Sequence, residues 1–314
     1  MQKVRIKKTD LFVSTLCLGG CPLGGYGWGD TQRNELIDTV KTAVDNGINF
    51  FDTADTYGLG ESERNLAEGL GANSTNVIVA TKFGVRVENG KTAYDNSRQY
   101  IFKAVEESLR RLKREYIDLY QVHYRDGVTP LVDVAESLEL LRQQGKVRYY
   151  GLSNIHEKDI AELRTFGADN PFVSFQDEYS LACRKNEKEM FYFRDEFAMT
   201  PFTWGSLGQG ILTGKYDKDC NFQQNDRRSR DIYVNFHGEK LLKNLKIVEV
   251  LKEIAAKKGK SVSSVAIRFI LDYLKNSVVL VGAKKPEQIL QNIEAIGWTL
   301  TEEEIDKLEK ISKG

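Results

Sequence analysis

Eight short apolar runs recur along the 314-residue chain, and at least one longer amphipathic segment follows each of them. Their spacing is regular, about 25 to 40 residues with one longer gap before the last run, and no linker splits the chain into halves. These observations predict a single α/β domain over residues 1–314, a closed (β/α)₈ TIM barrel, because eight parallel units suffice to close the sheet. The competing architecture, a doubly wound open sheet, carries G-x-G-x-x-G after its first strand. The glycine-rich stretch Gly19 to Gly29 lacks that spacing, and there is no Walker G-x-x-x-x-G-K-[ST].

The elements follow in order. Leu16-Cys17-Leu18 reads as the first strand and runs into the glycine-rich loop. Asp30 or Thr31 is placed to cap a helix whose Leu36, Ile37, Val40 and Val44 fall at three- and four-residue spacing. Gly47 stops it, and Ile48–Phe51 makes the second strand. A helix around Glu61–Gly69 and strand Val77–Ala80 come next, then helix Ser97–Leu112 and strand Ile117–Val122. Helix Pro130–Arg142 has a proline in its first turn. Strand Val147–Leu152, helix His156–Phe166, strand Phe172–Phe175, helix Asn186–Phe197 and strand Pro201–Trp204 continue the alternation. A long loop, including polar residues Asp217–Arg230, separates the seventh strand from helices at about 239–258 and 262–274. Strand Val278–Val281 completes the eight, and extra C-terminal helices start at Pro286 and Thr301.

Composition narrows the function classes. Forty-five basic and 45 acidic side chains cancel, so net charge points to neither nucleic acid nor a membrane surface. No apolar run is long enough to span a bilayer, and the first residues lack the apolar core of a signal peptide, so a cytoplasmic setting is expected. Cys17, Cys21, Cys183 and Cys220 have no paired spacing and read as reduced thiols. The three histidines, His123, His156 and His237, are far apart, and no metal site is expected from them. His156 reads as part of a helix start and His237 as part of a loop.

In a barrel of this type the reacting groups lie where strands end, on the C-terminal face. Asp52 ends the second strand and Tyr57 follows it by five residues; Lys82 ends the third; His123 ends the fourth. Singly each has a plain structural explanation: Asp52 as a loop cap, Tyr57 as a loop aromatic, His123 as a hydrogen-bonder. Lys82 is harder to explain so, because it directly extends Val77–Ala80 into an interior where an unpaired cation is costly. Together they form an acid device. A phenol is a poor acid near neutrality. An ammonium beside it is expected to lower its pKa, a carboxylate to hold that ammonium, and a neutral imidazole to orient a carbonyl.

Asp52, Tyr57, Lys82 and His123 resemble, in order, the catalytic tetrad of the aldo-keto reductases. Further matching stretches are Asp52-Thr53-Ala54…Tyr57-Gly58, Gly60…Ser62-Glu63, Gly151-Leu152-Ser153-Asn154 and Gln176…Tyr179-Ser180. Downstream, Gly210…Lys215-Tyr216 and Gly282-Ala283-Lys284…Gln288…Asn292 fit as well, so the resemblance covers nearly the whole chain. It implies that NADPH delivers hydride to an aldehyde or ketone and that Tyr57 supplies the proton. Glu61–Arg64 matches too, but is more simply a charged first helical turn.

The same resemblance implies cofactor contacts. Ser153, Asn154 and Gln176 correspond to the set that holds the nicotinamide carboxamide, Trp204 to the aromatic stacked on that ring, and Gly20, Cys21 and Asp52 to the ribose side. Ser206, Leu207 and Lys215, with Arg228 as a clamp, correspond to the pyrophosphate segment, although Trp204-Gly205-Ser206-Leu207 departs from the more usual Tyr-Ser-Pro-Leu. Gly282, Lys284, Gln288 and Asn292 correspond to the adenosine end. Lys284-Lys285-Pro286, two cations before a helix, favours the 2′-phosphate of NADPH over NADH. The substrate expected is a small carbonyl compound, of the sugar or polyol kind by likeness to the bacterial branch of the family. Tyr26, Trp28, Tyr94, Tyr124 and Tyr233–Phe236 are candidates to line its pocket. The alternative is a regulatory subunit that binds NADPH with little turnover, as in the potassium-channel β-subunits of the same superfamily.

Overall fold

Parallel strands covered on both faces read as continuous apolar runs, and the eight runs found in the sequence are the eight staves of the barrel. A computed structural model describes residues 1–88 and 90–313. The chain begins with a hairpin, β1 (Lys3–Arg5) and β2 (Phe12–Ser14), that sequence periodicity does not reveal. The barrel then starts with β3 (Leu16–Gly19), α1 (Arg33–Asp45), β4 (Phe50–Asp52), α2 (Glu61–Leu70) and β5 (Ile78–Phe83). A second hairpin, β6 (Val85–Glu88) and β7 (Lys91–Tyr94), leads to α3 (Arg98–Leu112) and β8 (Ile117–Val122). Next come α4 (Leu131–Gln143), β9 (Val147–Ser153), α5 (Ile160–Arg164), β10 (Ser174–Glu178), α6 (Glu187–Glu196) and β11 (Thr200–Trp204). The chain continues with α7 (Gly238–Lys258), α8 (Val262–Leu274), β12 (Val278–Gly282), α9 (Pro286–Ile293) and α10 (Glu302–Lys313).

The barrel closes in the order β3-β4-β5-β8-β9-β10-β11-β12, with β12 back against β3 and every pairing parallel. Two apolar layers result. Cys17, Phe50, Ala80, Leu119 and Phe202 fill the interior, and Ile6, Leu11 and Val13 of the N-terminal hairpin belong to the same cluster, plugging the barrel at the end remote from the strand C-termini. A larger cluster lies between strands and helices, with Leu18, Phe51, Val79, Tyr120 and Phe175 facing outward.

Local chemistry explains the helix ends. Ser97 caps α3 by accepting from the Tyr100 N–H, and Ser261 caps α8 by accepting from Ser264. Three expectations need correction. Helix α1 starts after Gln32; Asp30 instead accepts from Asn225, and Thr31 donates to the Gly25 carbonyl, so both are drawn into loop contacts. The helix expected over His156–Phe166 is a 3₁₀ turn, Glu157–Asp159, and the five-residue α5, because Asp159 and Thr165 bond locally to backbone and compete with a longer helix. In the first turn of α2 only Glu61 and Arg64 form a solvated pair; Ser62 and Glu63 are fully buried, Glu63 pairing with Arg111 and accepting from Thr81.

Candidate active site

All four strand-end residues meet at one end of the barrel. Asp52 and Lys82 are buried at the ends of β4 and β5. The Lys82 ammonium lies 2.5 Å from Asp52 Oδ2, donates to the Thr53 carbonyl at 2.9 Å, and reaches the Tyr57 hydroxyl at 3.5 Å. It also sits 5.1 Å from the centre of the Tyr57 ring. The loop that carries Tyr57 is fixed from beneath: Gly58 has φ +58°, and a Cβ there would lie 2.2 Å from the Gly24 carbonyl oxygen. A side chain at that position would push the tyrosine loop away from the loop after β3.

His123 follows β8, with its N–H donating to the Phe83 carbonyl at 2.8 Å. Its ring packs edge-on to Tyr57, centres 5.6 Å apart, and stacks on Tyr124 at 5.2 Å. Burial, with Lys82 as a second cause, holds its pKa well below the usual imidazole range, so the ring is neutral at physiological pH. Its Nδ1 is buried without a hydrogen-bond partner.

Two glutamines complete the floor. Gln121 and Gln176 donate to Asp52 Oδ1 at 3.0 and 2.9 Å, so Asp52 is bound on one oxygen by Lys82 and on the other by amides. Gln121 was not singled out from the sequence. The available signal was a polar residue in an otherwise buried strand, two positions before His123 and therefore on the same face. Gln176, expected at the nicotinamide, commits its N–H to Asp52.

The phenol departs from expectation. Burial pushes the Tyr57 pKa well up, and Cys21, Asp52 and Tyr124 push it the same way, with Arg227 opposing. Opposite unit charges 4 Å apart attract by about 4 kcal/mol in a partly buried setting. Here, though, a carboxylate sits closer to the same ammonium than the phenol does, so Lys82 acts as half of an ion pair. Tyr57 is a neutral phenol that retains its proton. Behind it, Asp55 is half-buried near Glu63, and its desolvation, with Glu63 as a second cause, raises its pKa to about 7.

The other expected residues form a rim around this floor. Asn154, at φ +53°, donates to the His123 carbonyl and to Ser153 Oγ, and accepts from the Trp204 indole N–H at 3.2 Å. Ser153 Oγ donates to the Gln176 carbonyl. Gly20 is buried, and a Cβ there would lie 2.7 Å from Ser62 Oγ; Cys21 accepts from the Trp28 indole N–H at 3.4 Å. The hydroxyl of Ser206 turns inward onto Thr203, while Leu207 is half-buried and Lys215 exposed.

The long loop straps onto the loop after β3. Arg227 N–H donates to the Gly27 carbonyl and Asp226 bridges to Trp28. Arg228 is held by Asp226 and the Tyr216 hydroxyl and lies 4.4 Å from the centre of the Phe222 ring. The Lys284 ammonium donates to the Trp28 carbonyl at 2.5 Å, and its N–H to Gln288 Oε1. Gly282 lies at the end of β12, and Lys285 pairs with Glu35. Burial, then Arg228, Lys215 and Lys285, lower the Lys284 pKa, so the cations here exceed the acids that face them. Asn292 is buried with its Nδ2 unpartnered.

Among the candidate pocket aromatics, Tyr94 and Tyr124 pair at 5.6 Å and Trp28 and Tyr233 at 6.4 Å. Tyr26 is exposed, whereas Phe236 belongs to the core with Tyr216 and Phe222 and faces no pocket. Among the described residues no helix is long and apolar enough to cross a membrane, and all four cysteines are free.

The Aldo/keto reductase family model matches residues 15–313. The aldo-keto reductase YhdN of Bacillus subtilis (strain 168) is 35% identical over 307 residues, covering 97% of this chain and 91% of its own. Among solved structures, the glycerol dehydrogenase AKR11B4 of Gluconobacter oxydans has a TM-score of 0.88 at 34% identity, covering 98% of this chain and 94% of that one. The holo form of aldo-keto reductase AKR11C1 from Bacillus halodurans has a TM-score of 0.80 at 29% identity, covering 99% and 96%. With its closed parallel barrel and these relatives, the chain belongs to the aldo/keto reductase family of oxidoreductases.

Proposed function

We propose that the protein reduces an aldehyde or ketone to the alcohol at the expense of NADPH, with Tyr57 as proton donor. The observation that carries this reading is the buried Lys82 ammonium shared by Asp52, the Thr53 carbonyl and the Tyr57 hydroxyl. The cations around Lys284, suited to a phosphate, favour NADPH, while the buried, unpartnered amide of Asn292 suits the adenine that NADPH and NADH share. Ser153, Asn154 and Trp204 would hold the nicotinamide end together with the side-chain oxygen Oε1 of Gln176. Gly20, Cys21, Leu207, Lys215 and Arg228 would flank the centre, and Gly282, Lys284, Gln288 and Asn292 the adenosine. Ser206 is the weakest member of that set, since its hydroxyl is already used within the chain. When bound, NADPH supplies the hydride.

The chain's own residues do the acid chemistry. The raised pKa of Tyr57 keeps its proton in place until negative charge develops on the carbonyl oxygen. As that proton leaves, the new phenolate lies beside Lys82, which Asp52 and the two glutamines hold still. A neutral His123 retains one ring N–H with which to orient the carbonyl. The polyol-type substrate draws support from the relative that is a glycerol dehydrogenase. The test is NADPH oxidation, followed by absorbance, over a panel of aldehydes and ketosugars. Turnover that disappears in Tyr57→Phe while NADPH still binds supports the proposal. Tight NADPH binding with no turnover on any carbonyl overturns it in favour of a binding subunit.

A further inference from the structure

Outside the tetrad, His156, Asp177 and Glu189 converge from three elements: the loop after β9, the end of β10 and α6. One ligand atom from each lies within 4.8 Å of the others. His156 Nδ1 is 3.2 Å from Glu189 Oε2 and 3.5 Å from Asp177 Oδ2. A tetrahedral ion with bonds of roughly 2.0–2.2 Å has ligand–ligand edges of roughly 3.3–3.6 Å.

Each carboxylate is oriented through one oxygen and turns the other toward the His156 ring, Glu189 Oε2 hydrogen-bonding its Nδ1 at 3.2 Å. Asp177 Oδ1 accepts from the Glu178 N–H at 2.7 Å and from Asn186 Nδ2 at 2.9 Å. Glu189 Oε1 accepts from the Glu157 N–H at 2.9 Å. This is the arrangement by which outer hydrogen bonds aim metal ligands.

A second observation calls for a cation. Asp177 is only 3% exposed, and its Oδ2 takes no hydrogen bond; its polar neighbour is the His156 ring at 3.5 Å. Among the described residues no lysine or arginine pairs with Asp177 or Glu189 at 4 Å or less. A buried carboxylate facing a second carboxylate, with a half-exposed imidazole as their shared basic partner, is costly unless a proton or a metal cation joins them.

We propose that His156, Asp177 and Glu189 bind a divalent transition cation, Zn²⁺ above all, with water as the fourth ligand on the half-exposed His156 side. One imidazole and two carboxylates suit Zn²⁺ better than Mg²⁺ or Ca²⁺, which prefer oxygen alone. The ion would staple the loop after β9 and α6 to β10, one residue from Gln176 and so one step from Asp52. It is a structural site separate from the tetrad. The rival occupant is a proton on His156.

Isothermal titration of the chelator-treated protein with Zn²⁺ decides between them, read with His156→Ala, Asp177→Asn and Asn186→Ala. The expected result is one Zn²⁺ per chain at micromolar concentration, lost in His156→Ala and Asp177→Asn. Asn186→Ala should bind about 10- to 100-fold more weakly. Co²⁺ should give the intense visible bands of tetrahedral coordination in the wild type alone. His156 is partly exposed, so its replacement keeps the test open should Asp177→Asn fold poorly; circular dichroism of the metal-free proteins checks this. No binding by the wild type, or binding unchanged in His156→Ala, overturns the proposal.

Discussion

At the floor of the site, Asp52, Lys82, Gln121 and Gln176 satisfy one another from four strands. At the rim, the cations are held from loops and helices: Arg228 by Asp226, Lys284 by the Trp28 carbonyl and Lys285 by Glu35. The floor is complete within the chain itself. The rim holds more positive charge than its acids balance and leaves Asn292 Nδ2 unpartnered. Pre-organisation resides in strands, where burial over-determines each rotamer, and adaptability in loops, where contacts can be exchanged.

Breaking the floor should have the largest effect. Lys82→Met leaves Asp52 buried without its cation, which costs about 3–5 kcal/mol of stability. In the same variant, turnover should drop by roughly 10²–10⁴. Denaturant unfolding and initial rates check both. A variant as stable as the wild type would show that the pair does not hold the floor together.

Asp55 is the next sharpest probe, because it lies behind the floor with one carboxylate oxygen unpartnered. Its pKa rises on folding from 3.8 to about 7, so the folded state binds the proton more tightly than the unfolded one. Stability from this group is present at pH below about 4 and is lost as pH rises through 7. Asp55→Asn should remove that loss and be more stable than the wild type at pH 8 by on the order of a few kcal/mol. Thermal melts of both proteins between pH 4 and 8 read it out.

Rim substitutions should be milder and should divide KM from kcat. Lys284→Gln is expected to raise KM for NADPH about tenfold, a 1.4 kcal/mol loss, with kcat nearly unchanged and NADH kinetics little altered. Back at the floor, Gln121→Leu should be of comparable size: it removes one donor to a charged oxygen, a loss of about 1.5–3 kcal/mol that Gln176 offsets in part. It should lower stability measurably without changing KM for NADPH.

The contrast between floor and rim also decides what could be read in the sequence. The eight staves were legible because strands buried on both faces are largely apolar, as in Val278–Val281. The hairpin β6–β7 was not, since its two four-residue strands are too short and too exposed to carry a readable period. That Asp52, Lys82 and His123 come together was legible because polar residues at strand ends stand out from apolar runs. Gln121 was less legible: its polarity inside a buried strand marks the position, but nothing in the sequence names its partner, Asp52 on another strand. The burial of Glu63 was not legible, because Glu61–Arg64 reads as a charged first helical turn and only the fold brings Arg111 to it. The trio His156, Asp177 and Glu189 spans 33 positions in sequence, and only the packing of α6 against the end of β10 unites it.

The role of Tyr57 as acid is tested most directly by the pH dependence of kcat/KM for carbonyl reduction. With the phenol's pKa raised by burial and the imidazole neutral, the account predicts a rate that is level through neutrality and falls only in the alkaline range. A limb near pH 6–7 that persists in Asp55→Asn and disappears in His123→Gln would identify the imidazole as the acid and contradict it.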